Sequence, residues 1–313
     1  MFEKLAVQPV RVDLPFRLNH VNCFIGFGES GIKIMDTGLH NETAMKIWAP
    51  GIEKHLVEEI IVTHYHPDHY GYVGKLQELT GADVVMTEID ERSAHYSWDQ
   101  EHIDALPDKY YTCDIPKELA EQMHSNTVDF VPLVTPHATV NRFLEEGEKI
   151  VFGAHEYEVI FTPGHSDGLV SFFNEENSVL FSTDHILPKI TPNISYWFHG
   201  DPNPLKTYFQ SLEKVKKLDA TYVIPSHGKP FEGANQRIIE IVEHHEERLE
   251  KLLHVLEGSQ TVYNLCLKLF GEQLNVHEMR FAIGETVAHL EYLVEQGACE
   301  VEMSGGKWYY RRK

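Results

Sequence analysis

Thr63-His64-Tyr65-His66-Pro67-Asp68-His69 packs three imidazoles and a carboxylate into six residues, and its reading decides the fold. His64 and His66 alternate with Tyr65, so a strand end or tight loop aims both rings at one point. Pro67 fixes φ and supplies no N–H, which predicts a turn rather than a helix through Asp68 and His69. The i, i+4 histidine spacing of a helical H-E-x-x-H motif is absent. Imidazole nitrogen and carboxylate oxygen together suit zinc or a similar borderline transition metal. A solvated polar loop in a chain with 20 histidines is the plainer reading. Apolar segments on both sides of the cluster weigh against it.

Three later segments end predicted strands with the same residue types. They are Thr162-Pro163-Gly164-His165, Ser182-Thr183-Asp184-His185 and Pro225-Ser226-His227-Gly228. Val159-Ile160-Phe161, Val179-Leu180-Phe181 and Tyr222-Val223-Ile224 precede them, as Ile60-Ile61-Val62 precedes His64. Short apolar runs stopping at Gly, Pro or Ser read as buried strands. Four strand ends delivering His or Asp in one direction would build a site on the rim of a layered α/β protein.

These residues resemble the metallo-β-lactamase fold hydrolases, whose pattern is H-x-H-x-D-H followed by a lone His, a lone Asp and a final His. His64, His66, Asp68 and His69, then His165, Asp184 and His227, match it in order, and Ile34-Met35-Asp36-Thr37-Gly38 supplies the segment typical ahead of it. The resemblance covers about residues 10–235. It implies an α/β fold, the αββα four-layer sandwich, with a glyoxalase II-like catalytic domain. It also implies two divalent metal ions. One would take His64, His66 and His165, the other Asp68, His69 and His227, with Asp184 bridging. Ligand types favour Zn, with Fe or Mn as alternatives. Asp36 would orient the ligand loop; as a turn residue before Gly38 it has an equally simple explanation.

Other histidines read differently. His185 either lines the pocket or, by strand alternation, points to the opposite face. His20 precedes Val21-Asn22-Cys23, a segment similar to the family's Asn-containing second strand, where a substrate contact is one use. His244 and His245 fall in an amphipathic helix and are expected to be solvated, without a role.

The 313 residues suffice for one large domain of roughly 200–250 residues and a small one. No apolar run reaches transmembrane length, and Met1-Phe2-Glu3-Lys4-Leu5 lacks the start of a secretory signal. Cys23, Cys113, Cys266 and Cys299 are scattered without a C-x-x-C pair, predicting reduced thiols and a cytoplasmic location. The formal charge of −21 disfavours polyanionic partners.

Three regions follow one another. In residues 1–89, strands are predicted at Val10-Arg11-Val12 and Val21-to-Phe27, a hairpin turn at Gly28-Glu29-Ser30-Gly31 and a return through Ile32-to-Met35. A helix over Gly71-to-Leu79 ends at Gly81, and Ala82-to-Met86 is the next strand. Residues 90–143 are polar, broken by Pro107, Pro116, Pro132 and Pro136, and studded with Tyr96, Trp98, Tyr110, Tyr111 and Phe130. They read as a helical insertion over the mouth of the site, either binding an apolar part of the substrate or serving as scaffold. Tyr196-Trp197-Phe198-His199 is expected in a loop near the metals.

Residues 236–313 hold predicted helices at Asn235-to-Leu256, Thr261-to-Phe270 and Val276-to-Glu295, then two strands flanking Gly305-Gly306. The order describes a winged helix, similar to the tail on one branch of the family. The domains are thus read as 1–235 and 236–313. Glu278, Glu285, Glu291 and Glu295 share the third helix with Arg280 as the one full opposing charge, and Lys307, Arg311, Arg312 and Lys313 are few and terminal. Phosphate contacts need more Lys or Arg, so nucleic acid is not an expected partner. Packing, a homodimer contact or completion of the pocket wall is expected instead, with no membrane association.

The ligand set leaves room for a bridging water, which two cations ~3.5–4 Å apart would ionise near neutral pH. That hydroxide would attack a carbonyl or phosphoryl centre. Asp184 as bridge and Asp68 as an aid to proton movement are the candidate catalytic residues. No Ser-His-Asp or Cys-His arrangement competes, and no phosphate-binding G-x-x-x-x-G-K-[ST] loop is present. A small thioester or ester is the expected substrate, given the aromatic insertion and the anionic surface. Endoribonuclease or phosphodiesterase activity of the winged-helix branch is the alternative. A non-catalytic metal-binding interaction module is a third. A β-lactam substrate is disfavoured by the missing export signal, and diiron redox chemistry by His66, where those members carry Glu.

Overall fold

The computed structural model describes residues 1–52 and 54–313. Two six-stranded sheets form its centre. The first runs in order through β1 (Val7–Asp13), β2 (His20–Phe27), β3 (Ile32–Met35), β4 (Val57–Ile61), β5 (Asp83–Met86) and β6 (Arg142–Phe143). The second holds β7 (Lys149–Phe152), β8 (His155–Phe161), β9 (Val170–Asn174), β10 (Val179–Thr183), β11 (Tyr222–Pro225) and β12 (Phe231–Glu232).

Alternation along the strands explains why the sheets stack. Phe24, Met35, Ile61 and Val85 turn inward to meet Tyr157, Val159, Phe172, Phe181 and Ile224 in one buried cluster. Their neighbours Cys23, Ile34, Ile60 and Val84 face outward against Ala44 and Trp48 of α2 (Glu42–Ile52, after α1, Phe2–Leu5). α3 (Pro67–Tyr70) and α4 (Val73–Thr80) follow on that side, α4 adding Val73 and Leu76. On the far side Ile160, Phe173, Leu180 and Val223 pack against later helices. The result is the αββα sandwich expected from the sequence.

Strand direction gathers the site. β3, β4 and β5 are mutually parallel. β8 and β10 each run antiparallel to β9, and β10 is parallel to β11, so β8, β10 and β11 also share one direction. Their C-terminal ends meet at one rim, where Val170 N donates to Thr63 O at 3.1 Å and Asn22 N to Ser226 O at 2.6 Å.

The turn expected at Pro67 is a single helical turn instead. Pro sits at its first position, where no N–H is needed, and His69 N and Tyr70 N donate to His66 O at 3.0 and 2.9 Å. The next helix begins at Val73 rather than Gly71 and ends, as expected, on Gly81 at φ 70°.

The insertion is helical: α5 (Glu88–Ser97), α6 (Gln100–Thr112) and α7 (Lys117–Val128). α5 starts ahead of residue 90, capped by Thr87, and the chain returns to the first sheet at β6. α8 (Pro204–Lys216) and α9 (Ala234–Val255) cover the second sheet, followed by β13 (Gln260–Thr261), α10 (Val262–Phe270), α11 (Val276–Glu295), β14 (Cys299–Ser304) and β15 (Lys307–Arg312). The last strands form a small sheet in the order β13-β15-β14. Eleven residues of α11 are buried, so it is an internal helix rather than a free face. Its glutamates are engaged accordingly: Glu285 by Arg248, Glu291 by Tyr310 and Glu295 by Lys206.

All four cysteines are buried and free. No described helix is long and apolar enough to cross a membrane.

Candidate metal centre

Seven side chains singled out from the sequence converge at the rim. Nitrogens of His64, His66 and His165 lie within 4.8 Å of one another, as do ligand atoms of Asp68, His69 and His227, and of His64, His69 and Asp184. Asp184 sits between the first two groups. Its Oδ2 is 3.4 Å from His165 Nε2 and 3.2 Å from His227 Nε2, and its Oδ1 is 3.6 Å from His69 Nε2. Asp68 Oδ2 lies 3.4 Å from His227 Nε2 and 3.7 Å from His69 Nε2.

The outer nitrogens fix which atoms face inward. His69 Nδ1 is 2.8 Å from Asp36 Oδ2, His165 Nδ1 2.8 Å from Asn193 O, and His227 Nδ1 2.6 Å from His20 O. His64 Nδ1 is 3.0 Å from Thr63 Oγ1, which itself donates to Asp36 Oδ2. Each acceptor holds the proton on Nδ1 and leaves the Nε2 lone pair turned inward. His66 is reversed, its Nδ1 facing His165 Nε2 at 2.8 Å.

Nε2 of His64, His69 and His227 and Oδ1 of Asp184 are buried and find no hydrogen-bond partner. Buried acceptors without donors call for a bound cation. Five imidazoles and two carboxylates fit divalent metal ions.

Electrostatics divides the cluster. Burial, with neighbouring imidazoles, holds His64 and His66 well below the usual imidazole range. Burial also lowers His165, against the pull of Asp184. At His69 and His227 burial works the same way, but Asp184 and Asp68 outweigh it and raise both rings, His69 by the larger amount. Burial opposes charge on Asp184, yet His227 and His69 hold its carboxyl well below the usual carboxylate range. Without a metal, Asp184 and Asp68 thus favour a proton on His69 and His227 that a bound cation would displace, whereas His64, His66 and His165 form a neutral acceptor set.

Asp36, at φ 57°, is more than a turn residue: it accepts from Thr63 N at 2.9 Å as well as from Thr63 Oγ1 and His69 Nδ1. His20 acts through its backbone carbonyl, and its ring accepts from Gly228 N at 3.1 Å. Asn22 Nδ2 donates to Pro225 O and Gly228 O, bracing the His227 loop. His185 turns away from the cluster onto Tyr208, ring centroids 5.3 Å apart, and burial pushes it down to about 3.

His245 corrects the expectation of a solvated ring. It is fully buried, 3.1 Å from His289 Nε2, and its ring, Glu285 and His289 form another potential ligand group. Arg248 Nη1 already bonds Glu285 Oε1 at 2.6 Å and supplies that carboxylate's counter-charge.

Two positioning residues were missed. Asp90 accepts from Tyr65 N at 3.1 Å, Ser166 Oγ at 2.7 Å and Gly168 N at 2.7 Å, locking the His64 and His165 loops together. Thr87-x-x-Asp90 was a visible helix-start signal, but nothing in it marks this second task. Asn193, whose carbonyl orients His165, is held by its Nδ2 to Glu285 Oε2 at 2.9 Å. α11 thereby grips the loop: Tyr196 N donates to Gly284 O at 3.0 Å, and a Cβ at Gly284 would lie 2.8 Å from Ser195 Oγ. A glycine inside this helix is required by the close approach.

The aromatic insertion divides by residue. Tyr110 belongs to the core, Tyr96 and Tyr111 are largely exposed, and Trp98 stacks on Phe130. Trp197 reaches to 6.0 Å from the His66 ring.

A sequence model described as the Metallo-beta-lactamase superfamily matches residues 17–227, and one described as Metallo-beta-lactamase-like, C-terminal domain, matches residues 249–313. A probable metallo-hydrolase of Bacillus subtilis is 24% identical, with 97% of each chain covered. The crystal structure of a metallo-beta-lactamase family protein from Thermus thermophilus superposes with a TM-score of 0.85 at 31% identity, covering 98% of this chain and 99% of that one. A beta-lactamase domain protein from Burkholderia ambifaria gives 0.87 at 29% identity, over 98% and 92%.

Proposed function

Because the chain belongs to the metallo-beta-lactamase superfamily and is a metallo-hydrolase, we propose that it cleaves a small thioester or ester using two divalent ions, zinc by ligand type. The carrying observation is the pair of donor groups joined by Asp184, with buried lone pairs that no group of the chain satisfies. His64, His66 and His165 would hold one ion and Asp68, His69 and His227 the other, Asp184 serving both. Bound there, divalent ions supply Lewis acidity and ionise a water near neutral pH.

The chain's own residues do the rest. Thr63, Asp36, Asn193 and the His20 carbonyl fix the ring orientations. Asp68, more open than Asp184, is placed to accept a proton and return it to the leaving group. Trp98, Phe130 and Trp197 form an apolar wall suited to an acyl chain. Cytoplasmic residence, a 1–235 catalytic domain and a winged-helix identity for 236–313 belong to the same reading.

Purified protein of defined metal content, offered acyl-thioesters, esters, lactones and short RNAs, tests it. Turnover of thioesters or esters is expected. Cleavage of RNA alone would transfer the site to phosphodiester chemistry. Binding of metal with no turnover at any loading would make the chain a metal-binding interaction module.

A further inference from the structure

Three atoms among the described residues can donate but never accept a hydrogen bond, are closed to solvent, and face no acceptor: Trp98 Nε1, Trp197 Nε1 and Arg280 Nε. His277 Nδ1 is buried and unpartnered as well. Successive ring contacts join all four into one wall that leads away from the metal centre. From the His66 ring the wall passes to Trp197 at 6.0 Å, to Phe281 at 5.6 Å and to His277 at 4.9 Å. It continues to Phe130 at 5.4 Å, stacked nearly parallel on His277, and to Trp98 at 6.4 Å. The Arg280 guanidinium lies 5.9 Å from the Phe130 ring.

No single element builds this wall. Trp98 comes from the end of α5, Phe130 from beyond α7, Trp197 from the loop after β10, and His277, Arg280 and Phe281 from α11. Elsewhere the chain satisfies such groups: Trp48 Nε1 donates to Thr37 O at 2.8 Å, and Arg248 and Arg237 meet carboxylates. Arg280 makes one bond, from Nη1 to Asn126 Oδ1 at 3.3 Å, and pairs with no described carboxylate. A buried donor without an acceptor costs about 1–3 kcal/mol, more when charged, so several along one wall call for an acceptor from outside the chain.

We propose that this wall is a subsite for an anionic, acceptor-rich group of the substrate, a carboxylate or a phosphate. Arg280 supplies the charge, the two indoles supply neutral donors, and the faces of Phe130 and Phe281 hold the flat or apolar segment leading to the scissile bond. Where the subsite lies along the substrate rests on the ester or thioester reading above. Anion binding itself does not.

Trp98 and Trp197 report on the subsite directly. Glutarate and inorganic phosphate would be titrated separately into metal-stripped protein while tryptophan fluorescence is followed, so that the metals contribute no binding. Saturable quenching by one or both is expected, and whichever acts identifies the anion. In Arg280→Gln the Kd should rise about tenfold or more, and in Trp197→Phe, which keeps the ring and loses the N–H, by a few-fold, read from Trp98. On metal-loaded protein, the kcat/KM preference for mono-4-nitrophenyl glutarate over 4-nitrophenyl butyrate should collapse by at least about tenfold in Arg280→Gln, through KM. No response of the wild type to either anion, or equal affinity in both variants, overturns the proposal. Arg280-dependent anion binding without hydrolysis of any ester would leave the subsite standing and remove the hydrolase assignment.

Discussion

Replacing Asp36 by Asn changes neither volume nor shape, yet it should cost the centre its metal affinity. Asp36 accepts three hydrogen bonds, from Thr63 N, Thr63 Oγ1 and His69 Nδ1, at 2.8 to 2.9 Å. An Asn can place its oxygen toward Thr63 N only by turning its NH2 toward the other two partners. His69 Nδ1 must then accept, moving its proton to Nε2, the atom that faces the metals. Thr63 Oγ1 must also accept, so its own hydrogen turns to His64 Nδ1 and reverses that ring too. The flipped amide instead sets NH2 against the buried Thr63 N–H, at about 1–3 kcal/mol. Loss of such an orienting partner weakens metal binding about 10- to 100-fold, or about 1.4–2.7 kcal/mol. Chelator competition on wild type and variant measures this, with ring-nitrogen NMR reporting the tautomers. Affinity within twofold of wild type, with His64 and His69 still protonated at Nδ1, would refute the reasoning.

Other perturbations are as direct. Asp184→Ala should lower bound metal by about one ion per chain; unchanged stoichiometry by elemental analysis removes Asp184 as a bridge. Metal addition at pH 7 should release about one to two protons, from His69 and His227, as read by an indicator dye. These rings have folded pKa values above their unfolded ones, so metal-free protein should lose stability as pH rises beyond about 6.5 through the raised values. A flat unfolding free energy there contradicts the charge assignment. Glu285→Gln removes the charged partner of Arg248 and turns a donor toward either Arg248 or Asn193. Metal affinity should fall several-fold more than stability alone explains; a change in unfolding midpoint with intact affinity would make Glu285 purely structural.

What could be read in the sequence follows from chemistry. The seven donors stood out because metals demand His and Asp, and short apolar runs announced the strands that carry them. The supports were invisible for a matching reason: Asn193 and His20 act through backbone carbonyls, which every residue type possesses. Asp90 lies in the first turn of α5, and its bonds to Ser166 and Gly168 span more than 75 residues of chain. The burial of His245 was legible and misread. Ile238, Ile241, His245, Leu249 and Leu252 share one stripe of α9, and the helical period puts the imidazole on the apolar side. Pro67 was misread because a residue that blocks the middle of a helix is well suited to begin one.

The grip of α11 on residues 193–196 has a practical meaning for anyone shortening this protein. Deleting everything beyond 235 would strip Asn193 of its anchor and bare the loop that aims His165, so a truncated version would have its ligands yet hold them slackly. The two segments are best regarded as one working unit.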